Sequence, residues 1–400
     1  MLPVFGREEI GFVKILSFSY CFPNHSNPNW GVFVFQRLAG LARRESLRVV
    51  SPVPWFPLLK GRLSRKESQG ELWEGLRVYR PSFFYFPGFL KNQDARLYAR
   101  GLGKWVEGLC CDWKPDILDA HFVWPDGVAA GIMSRRLGVP YTITLRGKLH
   151  ECLPIPSQRR QCAEALSGAA AVINNSGLMA QEARKLGVSD DRLSIIPNGI
   201  DPVLFRPRDK KACRRELRLP TERRLLVSVA HLGPRKGHHE VIQALAGLPE
   251  GVRLVLVGGS AQGGTPEGLQ QVAKEQGVAD RLILTGAQPY KRVPLYFCAA
   301  DASVLASYRE GCPNAVLESL ACGTPVVATD VGAVRDILPV PEAGRIVPLF
   351  EIGELRQALK EVLEQAWDPD EVVRASGVRS WDQVAEQVRG VLRDAISPRN

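Results

Sequence analysis

Apolar residues along the first half of the chain recur in two spacings that follow one another in turn. Runs rich in Val, Ile, Leu and Phe, typical of strands, precede segments with apolar residues every three or four positions, typical of helices. The strand-type runs are 12–20, 47–56, 115–127 with its closing loop, 140–147, 169–176 and 192–200. The helix-type segments are 32–45, 128–138 and 177–187. This alternation predicts an α/β fold with a parallel sheet covered by helices.

The alternation stops at residues 201–224, which are rich in proline and charge, and we interpret them as an interdomain connection with one short basic helix. Beyond it, strands are predicted at 225–233, 252–260, 281–286, 302–307 and 325–330. Helices are predicted from His238 and at 267–277, 314–322 and 380–396. The last helix has Trp381, Val384, Val388 and either Val391 or Leu392 on one face. Two α/β domains follow, and their ligand site is expected beyond the strand ends, in the cleft between them.

Length and cysteine usage agree with an ordinary intracellular protein of two domains. The 400 residues exceed the size at which a single hydrophobic core stops growing. Nine cysteines are scattered without a C-x-x-C pair, which indicates reduced thiols rather than a disulfide framework or a zinc site. No run approaches about 18 apolar residues, and the N-terminal segment lacks the basic start of a signal peptide. We therefore expect a cytoplasmic protein.

Positive charge is concentrated in the first half of the chain. Residues 1–200 contain 26 Lys and Arg against 17 Asp and Glu, whereas residues 201–400 contain 26 against 25. This excess indicates either a solvated basic face or an anionic partner, such as a phospholipid surface or a phosphorylated substrate. Nucleic acid is not favoured, because the basic segment 209–224 has no aromatic residues for stacking. The aromatic segment 79–91 fits either a core strand with its loop or a peripheral anchor or acceptor-lipid groove on the inner face of the cell membrane.

A candidate phosphate site lies in residues 228–239, where Arg235, Lys236 and Gly237 follow a strand and open a helix. Free N–H groups at a helix N-terminus, together with a lysine, suit a diphosphate, although a solvent-exposed basic turn fits the same residues. The chain has no G-x-x-x-x-G-K-[ST] pattern, and residues 255–264 fail as G-x-G-x-x-G because position 260 is Ser. A P-loop enzyme and a dehydrogenase are therefore not favoured.

Two carboxylates, Glu310 and Glu318, stand eight positions apart, and Glu318 falls within an apolar helical run. A buried carboxylate needs hydrogen-bond donors, and neither residue has a Lys or Arg four positions later. Sugar hydroxyls are donors, so the pair suggests a polyhydroxylated ligand. His121 and His231 also follow strands, and each can be either a site residue or a structural histidine.

Residues 310–332, EGCPNAVLESLACGTPVVATDVG, resemble the donor-site signature of the retaining glycosyltransferases of family 4, which have the GT-B fold. Further matching stretches, in the family's order, include RLSIIPNGIDPVLFRP, LLVSVAHLGPRKGHH, ADASVLASYREG and, more loosely, NPNWGVFVFQRLAGLA and DAHFVWPDGVAAGIMSRRLG. The resemblance covers most of residues 12–395. It implies two Rossmann-like parallel-sheet domains facing a central cleft. The implied parts are an acceptor-binding domain at 1–205, a donor-binding domain at 206–377 and a C-terminal helix at 378–400 that packs back on the first domain.

The resemblance also implies which residues bind the sugar and the ribose of the donor. Glu310 is expected to hold hydroxyls of the donor sugar, assisted by the amides of Gly311, Cys312 and Asn314. Glu318 is expected to accept hydrogen bonds from the ribose hydroxyls of the nucleotide.

A second group of residues is implied for the phosphates and the reacting centre. Lys236 is expected to neutralise the diphosphate leaving group, and Gly31 to let a loop of the first domain approach the phosphates. His121 is expected beside the donor sugar. His231 stands where the family often has Arg, so Arg235 or a protonated His231 must replace that charge.

The activity implied is retaining transfer of a sugar from a nucleoside-diphosphate sugar, UDP- or GDP-linked, to a hydroxyl of a lipid-linked or polysaccharide-precursor acceptor. Neither a metal nor another cofactor is expected, because positive groups on the diphosphate can replace a divalent ion. The D-x-D sequence at Asp368, Pro369 and Asp370 is interpreted as a structural turn. Two rival functions stay open, a nucleotide-sugar 2-epimerase of the same architecture and a non-catalytic nucleotide-sugar-binding protein.

Overall fold

The computed structural model describes residues 11–56, 70–261 and 263–397, which form two compact α/β units. The first unit contains the described residues up to Asn174, Ala180–Ile196 and those from Asp382 onward. The second contains Asn175–Met179 and Pro197–Trp381. The chain enters the second unit for the main stretch after Ile196, whereas the sequence placed that boundary after residue 205. The start of the N-terminal segment lies outside the described residues.

The first unit is built on a largely parallel sheet whose central strands are buried. Its strands are β1 (Lys14–Phe18), β2 (Ser46–Val50), β3 (Val53–Trp55), β4 (Glu71–Trp73), β5 (Leu76–Tyr79), β6 (Ser82–Phe84), β7 (Ile117–His121), β8 (Tyr141–Leu145), β9 (Ala171–Asn174) and β10 (Leu193–Ile195). The main sheet has the order β10-β9-β8-β7-β1-β2-β5-β4, and β3 pairs with β6 separately. Only the β4–β5 pair in the described part of this unit is antiparallel. The segment 47–56 was predicted as a strand that ends in a proline-rich loop, and in the structure the loop part forms a second strand, β3, in the other sheet.

Helices cover the first sheet because each presents an apolar stripe to it. They are α1 (Val32–Ala42), α2 (Asp94–Asp112), α3 (Val128–Leu137), α4 (Leu149–Cys152), α5 (Pro156–Gly168) and α6 (Gly177–Lys185). In α1, for example, the buried residues Val34, Leu38 and Leu41 recur at helical spacing. None of the helices in the described ranges combines the length and apolarity that crossing a bilayer requires.

The second unit is a parallel sheet with apolar clusters on both faces. Its strands are β11 (Arg224–Val229), β12 (Val252–Val257), β13 (Leu282–Leu284), β14 (Ala302–Leu305), β15 (Val326–Thr329) and β16 (Gly344–Val347). Its helices are α7 (Lys210–Leu217), α8 (His238–Ala246), α9 (Pro266–Glu275), α10 (Val293–Ala299), α11 (Asn314–Ala321), α12 (Val334–Ile337), α13 (Ile352–Glu364) and α14 (Pro369–Ser376). Successive residues of β11 alternate between clusters, Leu226 in one and Val227 in the other. The predicted α/β fold with parallel sheets is confirmed.

Residues 201–224 contain the predicted short basic helix, α7, and they belong to the second unit rather than forming a separate connection. The side chain of Cys213, on α7, lies in the core of the second unit. Arg214 is 5% exposed and donates hydrogen bonds to the carbonyl of Ala299 and the carboxylate of Asp301, at 2.8 and 2.7 Å. The sequence predicted a short basic helix here but not the burial of its arginine, because the partner of Arg214 lies 87 residues away.

The C-terminal helix α15 (Trp381–Ile396) packs on the first unit from Asp382 onward. Val384, Val388 and Leu392 are buried, so the predicted apolar face contains Leu392 rather than the half-buried Val391. Arg389 and Arg393 each lie 2.7 Å from an oxygen of the buried Glu45. A buried carboxylate between two guanidinium groups fixes the register of the helix on this unit.

Candidate functional site

The strand order of the second unit defines where a ligand is expected. Its order, β13-β12-β11-β14-β15-β16, changes direction between β11 and β14, because β12 and β13 extend one side and β14 to β16 the other. Open parallel sheets bind ligands beyond the carboxyl ends of strands at such a switch point. Lys236 follows β11 and Glu310 follows β14, so the sheet places both at this point.

The turn that carries Lys236 is held in place by backbone contacts with the segment after β14. A 3-10 turn, Pro234–Lys236, leads through Gly237 into α8, which begins at His238 as the sequence predicts. Gly237 has a φ of 68°, and a Cβ atom there would lie 1.9 Å from the carbonyl oxygen of Ala306. Only glycine accommodates both the left-handed conformation and this close approach. The N–H of Tyr308 also donates to the carbonyl of Arg235, at 2.9 Å.

Lys236 and Glu310 form an ion pair, which the sequence analysis did not predict. The Lys236 Nζ atom lies 2.5 Å from Oε1 of Glu310, and their side chains are 14% and 12% exposed. The Glu310 loop rests on the turn after β15, where a Cβ atom on Gly332 would lie 2.5 Å from the Glu310 carbonyl oxygen. The N–H of Ala333 donates to the carbonyl of Gly311 at 2.8 Å. A cation and a carboxylate are thus held side by side at the switch point.

Glu318 is buried on α11, as its place in an apolar run indicated. Its residue is 8% exposed, and the hydroxyl of Tyr290 donates to its Oε1 atom at 3.2 Å. Burial raises the pKa of this carboxyl from 4.5 to about 7, and the Tyr290 hydrogen bond offsets part of that rise. Tyr290 was not found from the sequence, since it precedes Glu318 by 28 residues and no local pattern links them.

The N-terminus of α11 follows the Glu310 loop directly. The helix begins at Asn314 after Pro313, and no side chain among the described residues caps it. The N–H of Val316 donates to the carbonyl of Pro313 at 3.1 Å, whereas the N–H groups of Asn314 and Ala315 are available to a ligand near Gly311 and Cys312, both half-buried. The amide of Asn198 donates to Oδ1 of Asn314 at 2.7 Å, which identifies Asn198 as a supporting residue that the sequence analysis missed.

His231 follows β11 and is half-buried. Its pKa lies below 6.5 because burial disfavours the charged ring and because Lys236 and Arg235 are nearby cations. A neutral His231 at pH 7 does not replace a permanent charge, so Arg235 is the candidate second cation of this turn.

In the first unit, Gly31 precedes α1 in a conformation that requires glycine. Its φ is 75°, and a Cβ atom there would lie 2.4 Å from the carbonyl oxygen of Cys21. The loop after β1 therefore folds tightly against the start of α1, and its approach to the phosphates of a donor stays a prediction.

His121 ends β7, but its side chain is fully buried rather than open at the mouth of a site. Its Nε2 atom lies 3.2 Å from Asp119, which also lies 3.5 Å from the buried Arg37. Burial lowers the pKa of His121 to about 4, although the neighbouring Asp119 acts in the opposite direction. The imidazole is therefore neutral at pH 7. Asp119 and Arg37 were not singled out from sequence.

Phe122, the residue after His121, packs against the loop after β1 and against the start of α1. Phe122 has a φ of 78°, a strained conformation for a bulky residue that is more often found at functional sites. Its ring contacts Tyr20 and Phe33, with centroids 5.1 and 6.4 Å apart. The guanidinium of Arg146, after β8, lies 4.8 Å from the centre of the Phe33 ring. The structure thus groups His121 with the start of α1 in this unit and groups the remaining candidates in the other.

The D-x-D sequence lies at the start of α14 and has a local role. Asp368 is the residue before the helix, Pro369 is its first residue, and the Asp368 side chain accepts the N–H of Asp370 at 2.8 Å. It is a structural turn, as predicted, and this turn caps the helix.

Two family models match consecutive parts of the chain. The model described as "Glycosyltransferase Family 4" matches residues 32–204, and "Glycosyl transferases group 1" matches residues 209–376. TuaC of Bacillus subtilis (strain 168), named as a teichuronic acid biosynthesis glycosyltransferase, is 32% identical over 90% of this chain and 91% of its own length. A D-inositol 3-phosphate glycosyltransferase of Acidothermus cellulolyticus is 30% identical over 71% of this chain and 68% of its own.

Solved structures with low sequence identity share the fold. A sucrose-phosphate synthase from Thermosynechococcus elongatus aligns with a TM-score of 0.74 at 19% identity, over 95% of this chain and 98% of its own. HepE of Anabaena, in complex with UDP and glucose, aligns with a TM-score of 0.73 at 22% identity, over 95% and 99%. These neighbours have the GT-B architecture, which confirms the expected fold class.

Proposed function

Because the chain belongs to the family 4 glycosyltransferases, we propose that it transfers a sugar, with retention of anomeric configuration, from a nucleoside-diphosphate sugar to an acceptor hydroxyl. The observation that carries the proposal is the Lys236–Glu310 pair at the switch point of the second unit, 2.5 Å apart and largely enclosed. The bond that breaks in such a donor joins the diphosphate to the sugar. A cation suits the diphosphate, and a carboxylate suits the hydroxyls of the sugar.

Lys236 is assigned to the diphosphate. As the bond to the anomeric carbon breaks, negative charge grows on the departing phosphate oxygens, and a preorganised cation lowers that barrier. The turn is fixed by Gly237 and by the Tyr308 N–H, so the ammonium group needs little rearrangement at the moment of reaction. Arg235, in the same turn, is the second candidate for these oxygens.

Glu310 is assigned to the hydroxyls of the donor sugar and Glu318 to those of the ribose. Glu310 adjoins the uncapped start of α11, so free backbone N–H groups lie beside it. Glu318 is buried and accepts a hydrogen bond from the Tyr290 hydroxyl, and its remaining lone pairs can accept hydroxyl donors of a ligand. His121, neutral and buried, is assigned to the donor sugar as a polar neighbour and not as a charged acid. We assign no nucleophile.

We further propose that transfer requires no divalent ion. The Lys236 turn supplies positive charge where the leaving group departs, and the D-x-D sequence of this chain is engaged in capping α14. The donor base is proposed to be uridine or guanosine. UDP in the HepE complex supports the uridine choice, although identity to that protein is only 22%.

The acceptor is proposed to be a lipid-linked or polysaccharide-precursor hydroxyl, as the name of TuaC suggests. A row of contacting aromatic rings in the first unit supports a lipid surface. Trp55 contacts Phe84, Phe84 contacts Phe86 and Phe86 contacts Phe89, with ring centroids 6.3, 4.9 and 4.9 Å apart. The row ends at Phe89 and Leu90, which are 54% and 50% exposed. Exposed apolar residues beside a basic surface fit peripheral binding to an anionic membrane, on the cytoplasmic face.

The proposed function is tested by incubating the full chain with a panel of UDP- and GDP-sugars and an acceptor lipid extract. Thermal shift first identifies the donor, because specific binding raises the melting temperature. We expect one nucleotide series to stabilise the protein, and the product to keep the donor's anomeric configuration by NMR. Stabilisation without transfer to any acceptor, or conversion of the donor sugar to its epimer, would overturn the proposal.

A further inference from the structure

A groove in the first unit, between α2, α3 and α5, lies outside the residues assigned to glycosyl transfer. Its volume is about 490 Å³, within the range of small-molecule sites. Small residues on the three helices, Ala99, Gly131 and Ala165, leave the space open. We call it the arginine groove, because Arg96, Arg100, Arg135 and Arg136 line it.

The four arginines have no counterion within the part of the chain that the structure describes. All four are exposed, and none makes a hydrogen bond or an ion pair to a described residue. The one carboxylate in the lining, Glu164, lies 3.9 Å from Arg160, which is outside the groove. Like charges at this density repel one another, and a bound anion would relieve that repulsion.

Helix electrostatics explain only half of this cluster. Arg135 and Arg136 lie in the last turn of α3, where a cation interacts favourably with the helix dipole. Arg96 lies in the first turn of α2, where a cation is unfavourable, and Arg100 is one turn further along the same face. The charge of Arg96 is therefore placed at the groove although its interaction with the dipole of α2 is unfavourable.

The groove also contains an unused acceptor. Gln161 is 6% exposed, and its Nε2 atom donates to the carbonyls of Asn92 and Ser157, each at 3.0 Å. Those bonds fix the orientation of the amide, and its buried Oε1 atom accepts no hydrogen bond from a described residue. A buried acceptor without a donor is costly, and a ligand hydroxyl would satisfy it.

We propose that the arginine groove binds a small phosphate ester that carries hydroxyl groups, of the size of a sugar phosphate. Guanidinium groups recognise phosphate oxygens through paired hydrogen bonds, and Gln161 accepts from a hydroxyl of the same ligand. Three helices wall the site, so it is concave and suits a small molecule rather than a flat surface. It lies along the helices and not beyond the strand ends, which makes it an accessory site separate from the proposed donor site.

The test is titration calorimetry of the full chain at about 50 mM salt, with glucose 1-phosphate, inorganic phosphate and glucose as separate probes and with no nucleotide present. We expect glucose 1-phosphate to bind more tightly than phosphate, and glucose not to bind. Arg100→Gln and Arg135→Gln should each weaken glucose 1-phosphate about tenfold, since each removes a charged hydrogen-bond partner. Arg159→Gln, at an exposed arginine of α5 that is outside the lining and makes no ion pair with a described residue, is the matched control and should leave binding unchanged.

Two further variants isolate the geometry. A Cβ atom on Gly103 would lie 2.5 Å from Nη1 of Arg136, so Gly103→Ala displaces that guanidinium without changing charge, and it should weaken binding. Gln161→Leu should bring the affinities for glucose 1-phosphate and phosphate together. Equal binding of both probes to the native chain would overturn the proposal, as would no binding of either. The proposal would also be overturned if the protein bound phosphatidylglycerol vesicles but no soluble phosphate ester, and if Arg100→Gln abolished that vesicle binding. Such a result would identify the groove as a membrane-binding face. Failure of the glycosyl-transfer assay leaves this binding result unaffected.

Discussion

If Glu318 binds the ribose as proposed, its burial predicts how nucleotide binding depends on pH. The pKa of its carboxyl is raised to about 7, so the ligand-free protein holds a proton there over much of the neutral range. If the charged form accepts the ribose hydroxyls, binding of a nucleoside diphosphate must release that proton below pH 7. At pH 6, ionising the group costs about 1.4 kcal/mol, which is a tenfold rise in Kd relative to the plateau above pH 8.

The control for this experiment is Glu318→Gln, which keeps an amide oxygen at the same place and does not titrate. It is needed because the terminal phosphate of the nucleotide itself titrates near pH 6. Titration calorimetry in buffers of different ionisation enthalpy gives both Kd and the protons released. We expect the native chain to release more protons at pH 6 than Glu318→Gln and to show the steeper rise in Kd. Equal slopes in the two proteins would refute the assignment of the charged carboxylate to the ribose.

The same raised pKa predicts a change in the stability of the ligand-free protein. Because the folded-state pKa lies above 4.5, its contribution to stability is complete below pH 4.5 and is lost as the pH rises towards 7. The loss amounts to about 3 kcal/mol at full ionisation. The melting temperature of the native chain should therefore fall relative to that of Glu318→Gln between pH 5 and 8. Parallel curves would contradict the burial argument.

Three further predictions concern the metal, the membrane and the Lys236 turn. Transfer should survive excess EDTA, because Lys236 supplies the positive charge; complete loss that magnesium or manganese restores would contradict metal independence. Flotation with anionic liposomes at low salt should fall for the double variant Phe89→Ser and Leu90→Ser but not for Val203→Ser, an exposed apolar control in the other unit. Gly237→Ala should lower the free energy of unfolding by at least about 2 kcal/mol, because it combines a left-handed backbone with a clash. Gly353→Ala, where a Cβ atom meets nothing within 4 Å, is the matched control and should not destabilise.

Local sequence patterns predicted the strands and helices that carry the site residues, because each such element is determined by residues that are close together in the sequence. The run before His231 gave β11, and the Gly-Pro turn gave the start of α8 at His238. The apolar run around Glu318 gave α11 and the burial of that carboxylate. No comparable pattern predicted α2, because its buried face consists of Ala and Gly as much as of large apolar residues.

Contacts between distant residues could not be predicted in the same way. Lys236 and Glu310 are 74 positions apart and meet only because β11 and β14 are neighbours in the sheet. The Arg37–Asp119 pair likewise joins residues 82 positions apart, and its burial is invisible in a pattern that marks charge as exposed. The burial of Arg214 in α7 was likewise not predicted, because its partner Asp301 lies 87 positions away. Each of these contacts depends on how helices and strands from distant parts of the chain pack together, and no single segment of the sequence contains that information.

The central claim is that Lys236 holds the diphosphate while Glu310 holds the sugar, and Glu310→Gln tests it most directly. In the ligand-free protein Glu310 is the partner of Lys236, so removing its charge leaves the ammonium group free for the diphosphate. Calorimetric titration of the bare nucleoside diphosphate should therefore give a Kd that is unchanged or tighter. The kcat for transfer should fall at least tenfold, because about 1.4 kcal/mol or more of transition-state stabilisation is lost with the charged hydrogen bonds. Loss of nucleoside-diphosphate binding in Glu310→Gln, with kcat preserved, would contradict the account.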